Sequence, residues 1–236
     1  MSDSSPEVRR ALAIVAPVVI VVGAMTTFAF DVVRAGTAAF AGTLLGVYVA
    51  LAAFALAFAR REGVLADWLR PVWGDISRGV LSAIALLFAA WAFVRVALPD
   101  ASPRVSWIAR IYLQFGSPGF IRAHLFLFGV YVVVVAACEE IVWRGLVLHV
   151  LEDAFGTRKA EVLSTLLFVV GLLPTAWALR DPLAGQNPLL PVAALGCGAV
   201  WTALRSLSGR LVPAILSHAM FAWCVLVTFR LWGPSV

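Results

Sequence analysis

Seven long apolar runs, each closed by a short polar or proline-containing break, set the pattern of this chain. They cover residues 11–30, 38–59, 80–98, 120–148, 162–179, 189–204 and 211–232. A helix needs roughly 20 apolar residues to cross a bilayer, so about seven transmembrane helices with short loops are predicted. The first run directly follows Arg9-Arg10. It is too long for the core of a signal peptide and no clean small-residue cleavage site follows, so it is expected to stay as the first span.

The breaks carry their own signals. Arg60-Arg61-Glu62 closes the second run, and the polar stretch to Arg78 reads as a loop with a short surface helix over 65–69. Two prolines within Pro99-Asp100-Ala101-Ser102-Pro103 end the third run. Residues 104–118 alternate arginine with aromatic groups (Arg104, Trp107, Arg110, Tyr112, Phe115), a pattern that suits a segment lying at headgroup level. The fourth run is apolar until Glu139, with residues 149–160 as its polar exit, and Pro174 is expected to kink the fifth.

Composition agrees with the pattern. Of 236 residues, 62% are hydrophobic and 13% charged, against roughly 45–50% and 25% in soluble domains. Mean hydropathy is +0.97. A soluble globular domain, a disordered chain, a disulfide-rich secreted module and a collagen-like fibre are excluded. The net charge of +5 does not point to nucleic acid, because the basic residues are scattered between apolar runs rather than gathered in a stripe. The lipid bilayer is the implied surroundings.

Placing the N-terminus inside puts Arg9, Arg10, Arg60, Arg61, Arg70, Arg78, Arg158, Lys159, Arg205 and Arg210 on the inner side. Arg34, Arg104, Arg110, Arg122, Arg180 and Arg230 then fall outside, which favours an N-in, C-out arrangement. Trp73, Trp107, Trp177 and Trp232 sit near span ends, as an aromatic belt requires. Cys138, Cys197 and Cys224 lie inside apolar runs without metal-ligand spacing and read as small buried hydrophobes. No repeat or second domain is visible, so residues 1–236 are taken as a single all-α integral membrane domain.

Charge inside a span costs roughly 2.5–3.5 kcal/mol on insertion scales, so intramembrane ionisable groups are functional candidates by default. Asp31 and Arg95 lie near span ends and can snorkel. The cluster Glu139-Glu140-Ile141-Val142-Trp143-Arg144-Gly145 is different, because it follows Tyr-Val-Val-Val-Val-Ala-Ala-Cys within one run. Glu140 and Arg144 are i and i+4, share a helix face and can pair. Glu139 is rotated by about 100° onto a neighbouring face. One carboxylate can thus be held ionised by Arg144 while the other occupies a drier setting suited to a general base. A buried ion pair that merely fixes helix packing fits the same residues. His218 is the second anomaly, a histidine in an apolar span with the glutamates as possible partners. Trp143 is expected to pack beside these groups.

Glu139-Glu140-x-x-x-Arg144, followed by Gly145, resembles the first signature of the CPBP intramembrane proteases, also called CAAX-processing or abortive-infection proteases. The second signature of that family is Phe-x-x-x-His, and the third is His-x-x-x-Asn or His-x-x-x-Asp near the C-terminus. Here the matching positions are Phe168 with Leu172, and His218 with Ala222. The resemblance covers about residues 120–230 and leaves residues 1–119 as N-terminal spans without a recognised motif. It implies an intramembrane endopeptidase in a bacterial cytoplasmic membrane, acting in or near the membrane segment or C-terminal tail of a membrane-anchored protein or peptide. By position, Glu140 would activate water, Glu139 would be its polar neighbour, Arg144 the orienting cation and His218 a water or oxyanion partner.

Leu172 and Ala222 depart from the family pattern and remove two polar groups. His149 and His124 stand roughly 13 and 24 Å along the helix axis from Glu140 and cannot replace them. A catalytic zinc wants three protein ligands plus water, and only Glu139, Glu140 and His218 are on offer, two of them adjacent. No cofactor is therefore assigned. The alternative to a protease is a family member without hydrolytic activity, serving as a membrane scaffold or binding partner. A proton relay through Glu140 and His218 in a transporter is a third reading, although no inverted repeat supports it.

Overall fold

The computed structural model describes residues 5–228 as an all-helical bundle with no strand among the described residues. Ser5 caps α1 (Pro6–Ala29) by accepting from the Val8 N–H, and Pro6 occupies the first helical turn, where its missing N–H is no loss. Thr37 caps α2 (Ala38–Arg61) in the same way through Phe40. Each helix buries one stripe at three- and four-residue spacing. In α1 it is Ala11, Val15, Val18, Val22, Met25 and Ala29, and in α2 Phe40, Leu44, Tyr48, Ala52, Ala55 and Ala59. Their remaining faces are exposed and apolar, which is the pattern of a bundle wetted by lipid rather than water.

The short surface helix α3 (Leu65–Leu69) forms where the sequence placed it. Helix α4 (Asp75–Ala97) lies at the edge of the bundle and packs on α12 (Val212–Trp223). Gly79 allows that approach, since a Cβ there would stand 3.0 Å from the Leu216 side chain and the Pro213 carbonyl. The segment over 104–118 folds as α5 (Val105–Gln114), and α6 (Pro118–Ala123) follows. Phe115 makes edge-on ring contacts with Phe40 and Phe128, and the Asn187 amide donates to the Trp107 carbonyl at 2.8 Å. This segment is therefore held against the bundle as well as amphipathic.

The central rod runs from α7 (Leu125–Glu140) through a π-helical stretch (Ile141–Val147) into α8 (Leu148–Phe155). Gly156, at φ +77°, turns the chain into α9 (Thr157–Leu172), after which Pro174 opens the short α10 (Pro174–Ala178). Helix α11 (Leu189–Ser208) ends at Gly209 in the left-handed conformation. Helix α12 then continues in a π-helical turn (Cys224–Thr228). At the α11–α12 turn, the Arg210 guanidinium grips the buried Asp75 carboxylate at 2.9 and 2.7 Å. The Leu211 N–H donates to the Trp68 carbonyl at 2.9 Å, so α3 and α4 are fastened to the same end of the bundle.

Six helices are long and apolar enough to cross a membrane, and a shorter apolar helix (Val212–Val227) stands where the seventh span was expected. The chain is a multi-pass membrane protein. Several expected boundaries move. The third span starts at Asp75 rather than residue 80, because the Asp75–Arg210 pair lets a charged first turn be buried. The fourth run is broken at His124, whose ring stacks on Phe120. The polar exit over residues 149–160 is made of the end of α8, one glycine turn and the start of α9. The expected end of the seventh span at Trp232, and Arg230, lie outside the described residues. Asp31 caps the turn Val32–Arg34, and Arg95 is exposed, in keeping with their positions at span ends.

Candidate active site

Glu139 and Glu140 close α7, and the wider π-helical turn begins with the next residue. Residues 142–148 are buried in succession, so this part of the rod is enclosed on every side. It is packed against α1, α2, α9 and α11. π-Helical turns are frequent at functional sites, where they re-aim side chains. Here the turn carries Arg144.

Arg144 and Glu140 are both fully buried and pair at 3.3 Å. The guanidinium uses all three of its nitrogens. Nη1 donates to Glu140 Oε1, Nη2 to the Gly198 carbonyl at 3.0 Å and Nε to Thr202 Oγ1 at 3.4 Å. The Phe168 ring lies 4.6 Å from the guanidinium carbon and the Trp201 ring 5.5 Å. Such aromatic faces stabilise a desolvated cation. Gly198 leaves room for this grip, since a Cβ there would stand 3.0 Å from Nη2.

His218 bridges the two glutamates. Its Nδ1 is 2.9 Å from Glu140 Oε1 and its Nε2 is 3.4 Å from Glu139 Oε2. Its ring is stacked on Trp201, with centroids 3.7 Å apart and planes 15° apart. The Trp201 indole N–H in turn donates to Ser217 Oγ at 3.2 Å. With Glu140 held as an acceptor by Arg144, Nδ1 is the nitrogen that carries the proton, and Nε2 is left facing Glu139. The chain of contacts Arg144–Glu140–His218–Glu139 therefore draws on two helices, α7 and α12, and the π-helical turn.

The two carboxylates differ in access. Glu140 has a side-chain exposure of 0% and Glu139 of 16%. Glu139 and His218 line a cavity of about 550 Å³, whereas Glu140 does not. The pairing with Arg144 expected for Glu140 is present, but the drier of the two positions is the paired one. The cavity lies toward the C-terminal halves of α1, α4 and α7 and the N-terminal halves of α2 and α11, with α5 across it, and its walls are chiefly apolar.

The other expected residues also converge here. Leu172 and Ala222 both line the cavity. Phe168 lines it too and covers Arg144. Trp143 is buried and packs on Phe168 at 5.4 Å between ring centroids, away from the cavity. His149 lies elsewhere, edge-on to Phe58 and Trp68. Sequence reading missed Gly198, Thr202, Trp201 and Tyr48. Only Tyr48, a hydroxyl in the middle of an apolar span, carried a signal comparable to the charges.

Among the described residues no group of three or more His, Cys, Asp and Glu side chains is arranged to hold a metal ion. The donor set does not suit one either, since Glu140 is already engaged by a guanidinium and both nitrogens of His218 face glutamates.

Residues 121–224 match a family model described as Rce1-like, type II CAAX prenyl endopeptidase. The matched segment contains Glu139, Glu140, Arg144 and His218. No curated protein and no solved structure matches the chain.

Proposed function

Residues 121–224 match the Rce1-like family model, and on that footing we propose that the chain is a CPBP/CAAX-type intramembrane endopeptidase whose water-activating base is Glu139. The observation that carries this reading is the convergence of a cavity-facing carboxylate and a buried, oriented histidine at the floor of an apolar cavity. The family supports a peptide hydrolase, and the site supports the assignment of roles.

This reading gives Glu139 the role that position in the motif gave to Glu140, and the access of Glu139 to the cavity supports it. A base must reach the water and the scissile carbonyl, and Glu140 is sealed behind Arg144 and His218. Glu140 acts instead on His218. It accepts from Nδ1, fixes the tautomer and holds the ring against Trp201, as a carboxylate does for histidine in hydrolytic triads. A cavity water in contact with both Glu139 and Nε2 gives a proton to Glu139 as its oxygen adds to the scissile carbonyl carbon. The C–N bond then breaks, and the proton passes to the leaving nitrogen. The cavity volume falls within the range of roughly 300–1,000 Å³ usual for ligand sites. Its apolar walls suit a membrane-embedded segment or a hydrophobic C-terminal tail of a membrane-anchored protein.

The apolar residues at positions 172 and 222 favour a second reading, a non-hydrolytic member that binds a membrane segment in the same cavity. The test is a comparison of native membranes carrying the unchanged chain, Glu139→Gln or His218→Ala, with protein termini read by mass spectrometry. The protease reading expects trimmed tails with the unchanged chain that stay intact in both variants. Identical termini in all three membranes, with folded Glu139→Gln, would establish the binding reading instead.

A further inference from the structure

The site described so far has a base and an oriented histidine but no evident donor for the oxyanion that forms when water adds to a carbonyl. Removing one such donor from a hydrolase costs roughly 10²–10³ in rate, so its place in the wall should be identifiable. Positions 172 and 222, where the family pattern has histidine and asparagine or aspartate, do face the cavity, but as leucine and alanine they offer nothing.

The buried polar atoms that lack a hydrogen bond narrow the search. Native interiors leave few such atoms, and each one asks for an explanation. Of those among the described residues, the hydroxyls of Tyr48 and Tyr131 belong to side chains that line the cavity. Tyr131 precedes Glu139 by eight residues on the same helix, roughly 12 Å along its axis, too far to address the same carbonyl. Tyr48 is different. It comes from the middle of α2, is 1% exposed, and stands beside both Glu139 and Trp143. Its hydroxyl lies within reach of both Glu139 and the Trp143 indole and interacts with each, although neither contact is a hydrogen bond of good geometry.

We propose that Tyr48 is the oxyanion donor of this site, a catalytic residue supplied by the N-terminal spans in place of the two polar groups missing from positions 172 and 222. The assignment rests on the protease reading. As the water oxygen bonds to the scissile carbon, the carbonyl electron pair moves onto oxygen, and that oxygen accepts a hydrogen bond from the Tyr48 hydroxyl. The phenol keeps its proton throughout. The proton taken by Glu139 goes to the leaving nitrogen as the C–N bond breaks and the carbonyl reforms. In the resting state the hydroxyl is dry and only loosely held by Glu139 and Trp143, so the charge that develops in the transition state is its better partner.

The test uses the full chain reconstituted in lipid nanodiscs, with a detergent-solubilised membrane-protein fraction from cells lacking the chain as the probe. New termini are followed in time over a dilution series. For Tyr48→Phe the maximal rate should fall roughly 10²–10³-fold. The half-saturating concentration should stay unchanged, and Tm should change little because the lost hydroxyl makes no hydrogen bond of good geometry. Wild-type rates in Tyr48→Phe, while Glu139→Gln is silent, overturn the assignment and leave the protease reading standing. A lowered Tm with a raised half-saturating concentration also overturns it, in favour of a structural role. If the unchanged chain produces no terminus that Glu139→Gln lacks, the protease reading fails and the assignment falls with it.

Discussion

Replacing Arg144 with methionine is expected to destabilise the folded chain by about 3–5 kcal/mol, the usual consequence of leaving one member of a buried ion pair uncompensated. Glu140 would be left at 0% exposure with only the His218 imidazole beside it. The Gly198 carbonyl and Thr202 hydroxyl would lose a donor as well. Methionine fills much of the volume between Phe168 and Trp201, so the effect is one of charge more than of a cavity. The double replacement Glu140→Gln with Arg144→Met removes the stranded charge and should recover a substantial part of the loss, giving a coupling that a double-mutant cycle can read. Reversible unfolding in lipid nanodiscs measures all three proteins. Wild-type stability in Arg144→Met would mean that Glu140 is not held as a buried anion.

The second large effect separates the two glutamates. Glu139→Gln removes the proposed base, and general-base catalysis contributes roughly 10²–10⁴ in rate. Its partly exposed side chain faces the cavity, so stability should change little. Glu140→Gln should lower both quantities. It breaks the Arg144 pair, which costs stability, and it frees the His218 ring, which costs rate. A loss of activity confined to Glu140→Gln, with Glu139→Gln still cleaving, would return the base role to Glu140. Stability and initial rate measured on the same preparations decide between the two.

Much of the architecture was legible because apolar runs of span length admit few folds in a bilayer. Seven runs pointed to seven helical regions, and α3 formed over residues 65–69 as read. What the runs could not fix was where helices stop. Asp75 starts α4 early only because Arg210, 135 residues away, neutralises it. The turn after α8 is a single glycine at φ +77°, so the charged residues of the expected polar exit ride on helix ends. The π-helical stretch Ile141–Val147 has no sequence signature, since a 3.6-residue period does not reveal a wider turn.

The site divides in the same way. Charges and a histidine inside apolar spans stand out against a strong energetic penalty, so Glu139, Glu140, Arg144 and His218 could be named together. Their division of labour could not, because which glutamate meets the cavity depends on how α2, α7 and α12 pack. Trp201, Thr202 and Gly198 are ordinary residues of an apolar helix, and their roles arise only from the approach of α11 to Arg144. Phe168 was placed by its motif position, and it packs on both the guanidinium and the Trp143 ring.

The most direct test of the central claim is hydrolysis in water enriched in oxygen-18. The purified chain in nanodiscs is mixed with the solubilised membrane-protein fraction, and new C-termini are weighed by mass spectrometry. The account predicts new carboxyl termini carrying the heavy oxygen with the unchanged chain, and their disappearance in Glu139→Gln. New termini labelled equally in both proteins, or in neither, would contradict it.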